Sequence, residues 1–263
     1  MKIGFIGCGS MGSGMIRGIL ASKQAAREDL AASARTESSK KRIREELGIR
    51  CATNEEIASA SDLIVLAIKP QGYEEVISRI RTLVKDSVIL VSLAPGKSLS
   101  WLKEQFQKEL KIVRAMPNTP ALVQEGMSAV AANELVSEEE LDLVLSLFRS
   151  FGDACSVPEK LLDAVTAVSG SSPAYVFLFI EAMADGAVAL GMPRREAIRF
   201  AAQAVLGAAK MVLETGLHPA QLKDMVCSPG GTTIEAVRVL EQNGLRSSVI
   251  EAELACAHKA QGM

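Results

Sequence analysis

The sequence has few of the residues that build disulfide frameworks, metal centres or aromatic cores. Its 263 residues include 5 cysteines and 2 histidines, and aromatic residues make up only 4%. The cysteines are far apart, odd in number and without a CxxC pair, which argues against a disulfide framework and a zinc site. Neither histidine belongs to an HExxH motif or a His/Cys cluster, so no metal is predicted. Reduced thiols of this kind are typical of a cytoplasmic protein.

An excess of positive charge and a targeting segment are also missing. Lys and Arg number 29 against 31 Asp and Glu, so no nucleic-acid partner is predicted. The N-terminus enters a strand pattern at once instead of forming a signal peptide. The longest uncharged stretch, Ala164 to Ile180, falls short of the ~20 apolar residues that span a bilayer. It predicts a buried helix with its entry loop and no membrane partner.

The first half of the chain alternates strand and helix patterns. Hydrophobic residues make up 48% of the sequence, and strands are predicted at Ile3–Ile6, Leu30–Ala34, Asp62–Ile68, Ser87–Ser92, Lys111–Ala115, Met127–Ala132 and Asp153–Val157. Strands that alternate with helices predict a parallel sheet covered on both faces. The fold class is therefore α/β, with a dinucleotide-binding domain of the Rossmann type over residues 1–160.

From Lys160 onward only helices are predicted, which gives an all-α C-terminal domain over residues 161–263. Its two long helices, Pro173 to Leu190 and Pro193 to Thr215, begin near proline and end near glycine. Both are apolar nearly all round. A segment of about 100 residues is too small to bury such helices alone. We therefore expect them to bury against a second copy in a homodimer.

A GxGxxG motif at residues 7–12 directly follows the first strand and opens a helix. Gly7 permits the tight turn, Gly9 lets the backbone approach a pyrophosphate, and Gly12 lets helix and strand pack closely. The helix N-terminus then offers free N–H groups to the phosphates. A plain glycine turn is the alternative, and the βαβ context favours dinucleotide binding.

The end of the second strand indicates which dinucleotide is bound. An NAD site has an acidic residue ~20 positions beyond the glycines, but no acid stands between Asp29 and Glu37. Arg35 is placed to bind a 2′-phosphate, with Ser33 and Thr36 as hydroxyl donors. The alternative is a solvated arginine at a strand end. NADPH is favoured, and NADH is possible.

Later strands should end at the same crevice, because open parallel sheets bind ligands beyond their carboxyl edges. Asn118 is predicted to orient the nicotinamide or the substrate, or instead to bind its own loop backbone. The predicted cofactor-binding residues are Ile6, Gly7, Cys8, Gly9, Ser10, Met11, Gly12, Ser33, Arg35, Thr36, Asn54, Ala67, Ile68, Lys69, Pro70, Leu93, Ala94, Pro95 and Asn118.

A second constellation, SPGGTT, lies at residues 228–233 before a helical pattern. Its glycines expose successive N–H groups and its hydroxyls add donors at a helix N-terminus, where an anion is stabilised. The motif predicts a carboxylate or phosphate pocket. The alternative is an ordinary threonine N-cap, which explains neither the double glycine nor the second threonine.

Five motifs together resemble the pyrroline-5-carboxylate reductases. They are AIKPQ at 67–71, MPNTP at 116–120, SGSSPAY at 169–175, LKD at 222–224 and SPGGTT at 228–233. The SPGGTT motif is highly specific, whereas GxGxxG would fit dozens of families. Two positions depart from the family pattern. Ser172 stands where a second glycine is usual, and Gly186-Ala187 reverses the usual order, but both keep small side chains.

The resemblance implies NAD(P)H-dependent reduction of L-1-pyrroline-5-carboxylate to L-proline, the final step of proline biosynthesis. It also implies interlocked dimers that can build larger rings, often decamers. By motif match it places the substrate carboxylate on Ser228, Gly231, Thr232 and Thr233, Glu159 near the substrate amine, and Asn54 near the cofactor ribose.

The chemistry of the residues agrees with an imine substrate. A protonated cyclic imine accepts hydride readily and needs mainly proximity and a carboxylate clamp. Thr233, or a water, is the candidate to hydrogen-bond the ring nitrogen, although a threonine hydroxyl is not a strong acid.

Two other functions fit parts of the sequence. A hydroxyacid dehydrogenase would need a proton donor for the developing alkoxide, such as a lysine on the first long helix, and no lysine lies between Leu161 and Ala209. A non-catalytic NADPH-sensing regulator would bind the cofactor without turnover.

Overall fold

The computed structural model describes residues 1–261, which divide into two compact units. The first unit contains residues 1–171 and the end of the last helix from Cys256 onward, and the second contains Ser172–Ala255. The sequence-based boundary lies nearer residue 160. Both divisions leave the sheet in the first part and the long apolar helices in the second.

The described part of the first unit contains one eight-stranded sheet. Its strands are β1 Ile3–Ile6, β2 Leu30–Ser33, β3 Arg50–Cys51, β4 Leu63–Leu66, β5 Ile89–Ser92, β6 Lys111–Met116, β7 Gly126–Ala132 and β8 Gly152–Ser156. The order is β3-β2-β1-β4-β5-β6-β7-β8. The seven predicted strands are therefore present with small shifts at their ends, and only the two-residue β3 has no counterpart among them.

One part of the sheet differs from the all-parallel prediction. β1 to β6 are parallel, but β7 pairs antiparallel with β6, and β8 pairs parallel with β7. The segment between β6 and β7 contains only a short 3-10 turn, Thr119–Val123. A parallel connection needs a crossover of a dozen or more residues, so this short loop can only reverse the chain.

Helices cover both faces of the sheet, as the sequence predicts. They are α1 Ser10–Ala21, α2 Glu37–Glu45, α3 Asn54–Ala60, α4 Tyr73–Ile80, α5 Leu99–Phe106, α6 Glu138–Arg149 and α7 Leu162–Val165. In β4, Leu63 and Val65 join one apolar cluster, while Ile64 and Leu66 join another. A strand whose two faces are both buried in this way lies inside a three-layer structure.

The second unit is helical. Its helices are α8 Ser172–Ala189, α9 Arg194–Thr215, α10 Pro219–Val226, α11 Thr232–Gln242 and the greater part of α12 Leu245–Gln261. α9 follows Pro193 and ends at Gly216, whose φ is 65°, so the proline and glycine signals are confirmed. A π-helical turn over Thr166–Ser171 precedes α8.

The apolar side chains of α8 are largely exposed on the single chain. Ala184 is its only buried residue, while Phe177 is 64% and Leu178 66% exposed. The helical run Glu159–Ala189 is long and apolar enough, by length and composition, to cross a membrane, and 17% of its apolar window is buried. This exposure on one chain agrees with the expectation that the helix buries against a second copy, because its own unit is too small to cover it. The burial itself stays a prediction.

Candidate cofactor and substrate sites

The first glycine turn joins β1 to α1 at the point where the strand order reverses. Gly7 has a φ of 95°, and a Cβ there would lie 2.7 Å from the Ala67 carbonyl oxygen. A Cβ on Gly12 would lie 2.9 Å from the Gly7 carbonyl oxygen, whereas one on Gly9 would meet nothing within 4 Å. Gly7 and Gly12 are thus required by the fold, while Gly9 leaves open space for a ligand.

The backbone of this turn is exposed while its Cys8 side chain is buried. Cys8 is 3% exposed, and burial raises the pKa of its thiol. Gly9 and Ser10 are exposed at the start of α1, and Met11 is half-buried. Gly9 is the N-cap of α1 without a side-chain cap, so the first N–H groups of the helix face no capping side chain. That arrangement suits a phosphate.

Ser33 and Asn54 brace the glycine turn from the neighbouring strand. The Ser33 hydroxyl accepts a hydrogen bond from the Gly7 N–H at 3.2 Å and donates one to Asn54 Oδ1 at 2.6 Å. Ser33 is 5% exposed at the end of β2, and Asn54 opens α3 after the capping residue Thr53. Ser33 therefore ties the predicted ribose residue Asn54 to the turn. Its predicted donation to a 2′-phosphate would require another hydroxyl orientation.

Arg35 and Thr36 follow β2 directly. Arg35 is exposed and has no carboxylate within 4.0 Å in residues 1–261. Thr36 caps α2, where its hydroxyl accepts a hydrogen bond from the Ser39 N–H at 3.3 Å. Of the two, Arg35 has the free charge that a 2′-phosphate would need.

The ends of β4 and β5 lie along the same carboxyl edge. Ala67 continues from β4 and donates from its N–H to the Ile6 carbonyl at 2.9 Å, and Leu93 donates to the Leu66 carbonyl at 3.3 Å. The exposures of the predicted residues at this edge range from buried Ala94, through half-buried Ala67, Ile68, Pro70, Leu93 and Pro95, to exposed Lys69. The structure therefore brings the predicted strand-end residues to one edge of the sheet.

Asn118 is bound at both ends of its amide. It is 8% exposed, its Oδ1 accepts from the Met127 N–H at 2.8 Å, and its Nδ2 donates to the Ser169 carbonyl at 3.0 Å. Both partners lie outside the loop of Asn118, one on β7 and one in the π-helical turn before α8, so Asn118 ties its loop to two other segments. A contact with the nicotinamide stays a prediction and would have to share these groups.

Glu159 forms an ion pair that its sequence position did not suggest. Its Oε1 accepts hydrogen bonds from Arg114 Nη1 and from the Leu99 N–H, both at 2.7 Å. The Arg114 side chain is 8% exposed and that of Glu159 is 33% exposed. The pair joins β6 to the start of α5, and the predicted contact of Glu159 with the substrate amine remains a prediction.

Sequence reasoning missed two arginines near these sites. Arg114 lies within an apolar strand pattern, and nothing in that pattern predicts a partner for its charge. Arg42 lies on α2 among other charged residues, yet its Nη2 donates to the Cys8 carbonyl at 2.7 Å. Its Nε is buried and lacks a hydrogen-bond partner in residues 1–261. The open space at Gly9 and the unpaired charge of Arg42 both fit an anionic dinucleotide.

The SPGGTT segment forms the start of α11 in the second unit. Gly230 has a φ of 69°, and Gly231 is the N-cap without a side-chain cap. A Cβ on Gly231 would lie 2.3 Å from Ser228 Oγ and 3.1 Å from the Ser228 carbonyl oxygen, so a larger residue there would require the Ser228 side chain to turn away. Thr232 and Thr233 are therefore the first two helical residues and not an N-cap. The uncapped N–H groups and nearby hydroxyls can bind a carboxylate.

His218, the other conspicuous side chain of this unit, has a structural role. Its Nδ1 accepts from the Ala220 N–H at 3.2 Å, and Gln221 completes the capping box of α10. Within residues 1–261, no group of three His, Cys, Asp or Glu side chains is arranged to hold a metal ion.

Known proteins match this chain along its whole length. A family model described as pyrroline-5-carboxylate reductase dimerisation matches residues 159–263, and one described as NADP oxidoreductase, coenzyme F420-dependent, matches residues 2–96. The pyrroline-5-carboxylate reductase of Escherichia coli (strain K12) is 50% identical over 261 residues, which are 99% of this chain and 97% of that relative.

Two solved structures share the fold at similar coverage. A pyrroline-5-carboxylate reductase from Coxiella burnetii has a TM-score of 0.92 at 34% identity and covers 99% of this chain and 97% of its own. The Plasmodium falciparum pyrroline carboxylate reductase with NADP bound has a TM-score of 0.89 at 33% identity and covers 100% of this chain and 97% of its own.

These matches confirm the resemblance and the predicted fold class. The C-terminal region is a self-association domain, and the N-terminal region is that of an NADP-linked oxidoreductase. The chain belongs to the pyrroline-5-carboxylate reductase family, the enzymes that reduce pyrroline-5-carboxylate to proline.

Proposed function

We propose that this chain reduces L-1-pyrroline-5-carboxylate to L-proline with NADPH as its preferred hydride donor. The observation that carries the preference is the end of β2, where no acidic residue follows the strand and Arg35 is exposed without a carboxylate partner in residues 1–261. An acid there would accept hydrogen bonds from ribose hydroxyls and repel a 2′-phosphate, whereas an arginine binds it.

The start of α11 holds the substrate carboxylate in this proposal. The N–H groups of Thr232 and Thr233 are not capped by a side chain, and the helix dipole adds positive charge. The Gly231 N–H donates to the Ser228 carbonyl at 3.0 Å and would have to share or leave that bond to bind the carboxylate. The hydroxyls of Ser228 and Thr232 add neutral donors. A clamp without a cation binds a carboxylate firmly and does not raise the energy of a positively charged iminium in the same substrate.

Thr233 acts at the ring nitrogen. When bound, the nicotinamide cofactor supplies a hydride to the C=N carbon. The electron pair of the C=N bond moves to a nitrogen that already has a proton, so no strong acid is needed at that moment. The Thr233 hydroxyl accepts a hydrogen bond from this N–H and fixes the orientation of the ring. Proximity and orientation then account for most of the rate.

Glu159 is the least direct of the proposed substrate contacts. Its Oε1 already accepts hydrogen bonds from Arg114 and Leu99. The positive charge of Arg114 partly neutralises the carboxylate, which weakens its attraction for the iminium. A third of its side chain is exposed, which leaves room for that contact.

The self-association domain is proposed to form a homodimer, with a decamer of five dimers as the larger assembly. Support comes from the apolar residues that the single chain leaves exposed, such as Phe177 and Leu178. The cover is proposed to be a second copy and not lipid, and the purified protein should stay dispersed without detergent. Five free cysteines support a cytoplasmic location. The net charge of −2 supports the absence of a nucleic-acid partner.

The experiment that tests the reaction is a cofactor-oxidation assay. Purified protein is given pyrroline-5-carboxylate, a 2-keto acid or a semialdehyde acid, each with NADPH and with NADH. We expect turnover with pyrroline-5-carboxylate, faster at limiting NADPH than at limiting NADH. Turnover with the keto or semialdehyde acids alone would assign a hydroxyacid dehydrogenase. Cofactor binding without turnover on any substrate would assign a regulator.

A further inference from the structure

Arg42 connects α2 to the first glycine turn. The helix begins beyond the carboxyl end of β2, and the Arg42 side chain reaches 34 residues back along the sequence to the Cys8 carbonyl. The same Nη2 atom lies 3.5 Å from Ser39 Oγ. None of the steps proposed for the reaction uses this side chain.

Arg42 differs from the other basic residues of α2 in lacking an anionic partner. Lys40 and Arg44 both approach Glu37, and Lys41 approaches Glu45. Arg42 has no carboxylate within 4.0 Å in residues 1–261, and its buried Nε donates to no acceptor there. A half-buried guanidinium without a carboxylate partner is complementary to an anion that the protein itself does not supply, although the buried Nε is not open to a ligand.

The bond to Cys8 also sets the direction of a backbone donor. The peptide between Cys8 and Gly9 is trans, so the carbonyl of Cys8 and the N–H of Gly9 point to opposite sides of one plane. Because Arg42 holds the carbonyl on its own side, the Gly9 N–H is held on the other. Gly9 is exposed, and a Cβ there would meet nothing within 4 Å, so a ligand has room to approach.

We propose that Arg42 is a phosphate-binding residue of the NADP site. It orients the Cys8–Gly9 peptide, and its guanidinium neutralises a phosphate ester of the dinucleotide. The pyrophosphate bridge and the 2′-phosphate share that chemistry, and the nucleotides used in the test distinguish them. This inference rests on the proposed binding of the dinucleotide over the glycine turn.

The test is calorimetric titration of NADP⁺ and of NAD⁺ into the unmodified enzyme and its variants, without substrate. Arg42→Met removes the charge and every donor, and we expect its Kd for NADP⁺ to rise roughly tenfold, the size of one lost charge-assisted hydrogen bond. Arg42→Lys keeps the charge and should recover part of the affinity. A similar loss for NAD⁺ assigns the pyrophosphate, and a loss confined to NADP⁺ assigns the 2′-phosphate. Both outcomes support the proposal.

Arg44→Met is the matched control, because Arg44 lies on the same helix and is ion-paired with Glu37. Arg42→Gln keeps an amide donor without the charge and serves if the methionine variant does not fold. Kd values for folded Arg42 variants equal to those of Arg44→Met, with both nucleotides, would overturn the role of Arg42 and leave the proposed function intact. Failure of the unmodified enzyme to bind either nucleotide would instead overturn the proposed cofactor site.

Discussion

Replacing Glu159 with alanine is expected to destabilise the first unit more than replacing its partner Arg114 with methionine. The two side chains differ in exposure, 8% for Arg114 against 33% for Glu159. Each substitution leaves the other partner behind, and a stranded charge costs more when water cannot reach it. The order of the two effects therefore follows from which charge stays buried.

The magnitudes can be worked out from the contacts of the pair. Loss of one partner of a buried ion pair costs about 3–5 kcal/mol, and the partial exposure of Glu159 places Glu159→Ala near the lower end, at about 3 kcal/mol. The Leu99 N–H also loses its acceptor. Arg114→Met leaves a carboxylate that keeps the Leu99 N–H and reaches water, so about 1–2 kcal/mol is expected. The double variant should cost less than the sum, because the residues are in contact.

Urea unfolding followed by tryptophan fluorescence measures these changes at the relevant place. Trp101 is the single tryptophan of the chain and lies on α5, two residues beyond Leu99. All variants are compared at one protomer concentration, since self-association changes apparent stability. A larger cost for Arg114→Met, or fully additive costs, would refute the reasoning from stranded charge.

Glu159→Gln separates the scaffold role from the substrate role. The amide oxygen can still accept from Leu99 and Arg114, but the negative charge is gone. A higher KM for pyrroline-5-carboxylate at nearly unchanged kcat would support an attraction between Glu159 and the iminium. An unchanged KM would limit Glu159 to holding β6 and α5 together.

Four further predictions concern single side chains or the assembly. Burial raises the pKa of Tyr73 from 10.0 to about 12, so the folded state holds this proton more tightly. The stability contributed is complete below pH ~10, and about 3 kcal/mol is lost as the pH rises to ~12. Urea unfolding across this range should show the loss, and Tyr73→Phe should flatten it. Arg35→Asp should raise the KM for NADPH about tenfold or more and change that for NADH little, and equal changes would remove the 2′-phosphate contact. Thr233→Ala should lower kcat by about tenfold or more and leave the Kd for NADP⁺ unchanged. Thr233→Ser keeps the hydroxyl and should restore kcat. Undiminished turnover in the alanine variant would contradict the hydrogen bond between Thr233 and the ring nitrogen. Leu178→Glu should dissociate the assembly in light scattering, whereas an active monomer of the unmodified chain would contradict a shared core.

The sheet was largely predictable because its strands carry local signals. Short β-branched and aliphatic runs bounded by glycine or proline mark β1, β4 and β5, and their burial on both faces follows from continuous apolarity. The direction of β7 was not predictable from its own residues. It depends on the length and shape of the loop before it, which contains two prolines and no helix long enough for a crossover.

The glycine turn was predictable for a similar reason, whereas its supports were not. Gly7 and Gly12 can be recognised from the sequence because glycine is the residue that best tolerates a positive φ or a close backbone contact. Arg42, Ser33 and Arg114 act through partners 26 to 45 positions away. No short sequence pattern predicts a pairing over that distance. The sequence therefore shows an arginine on a helix or a serine in a strand, but it does not show which group that side chain hydrogen-bonds.

The apolar side chains exposed on α8 indicate what kind of assembly would cover the second unit. An amphipathic helix has one apolar stripe and can be covered by a single neighbour. Phe177, Leu178 and Phe179 are consecutive, so they point about 100° apart around the axis, and all three are at least 43% exposed although α8 packs against α9. A partner that touched one side of α8 would leave another apolar side in water. Covering all three side chains requires contacts on several sides of α8, and we expect the proposed homodimer to supply them through interlocked chains.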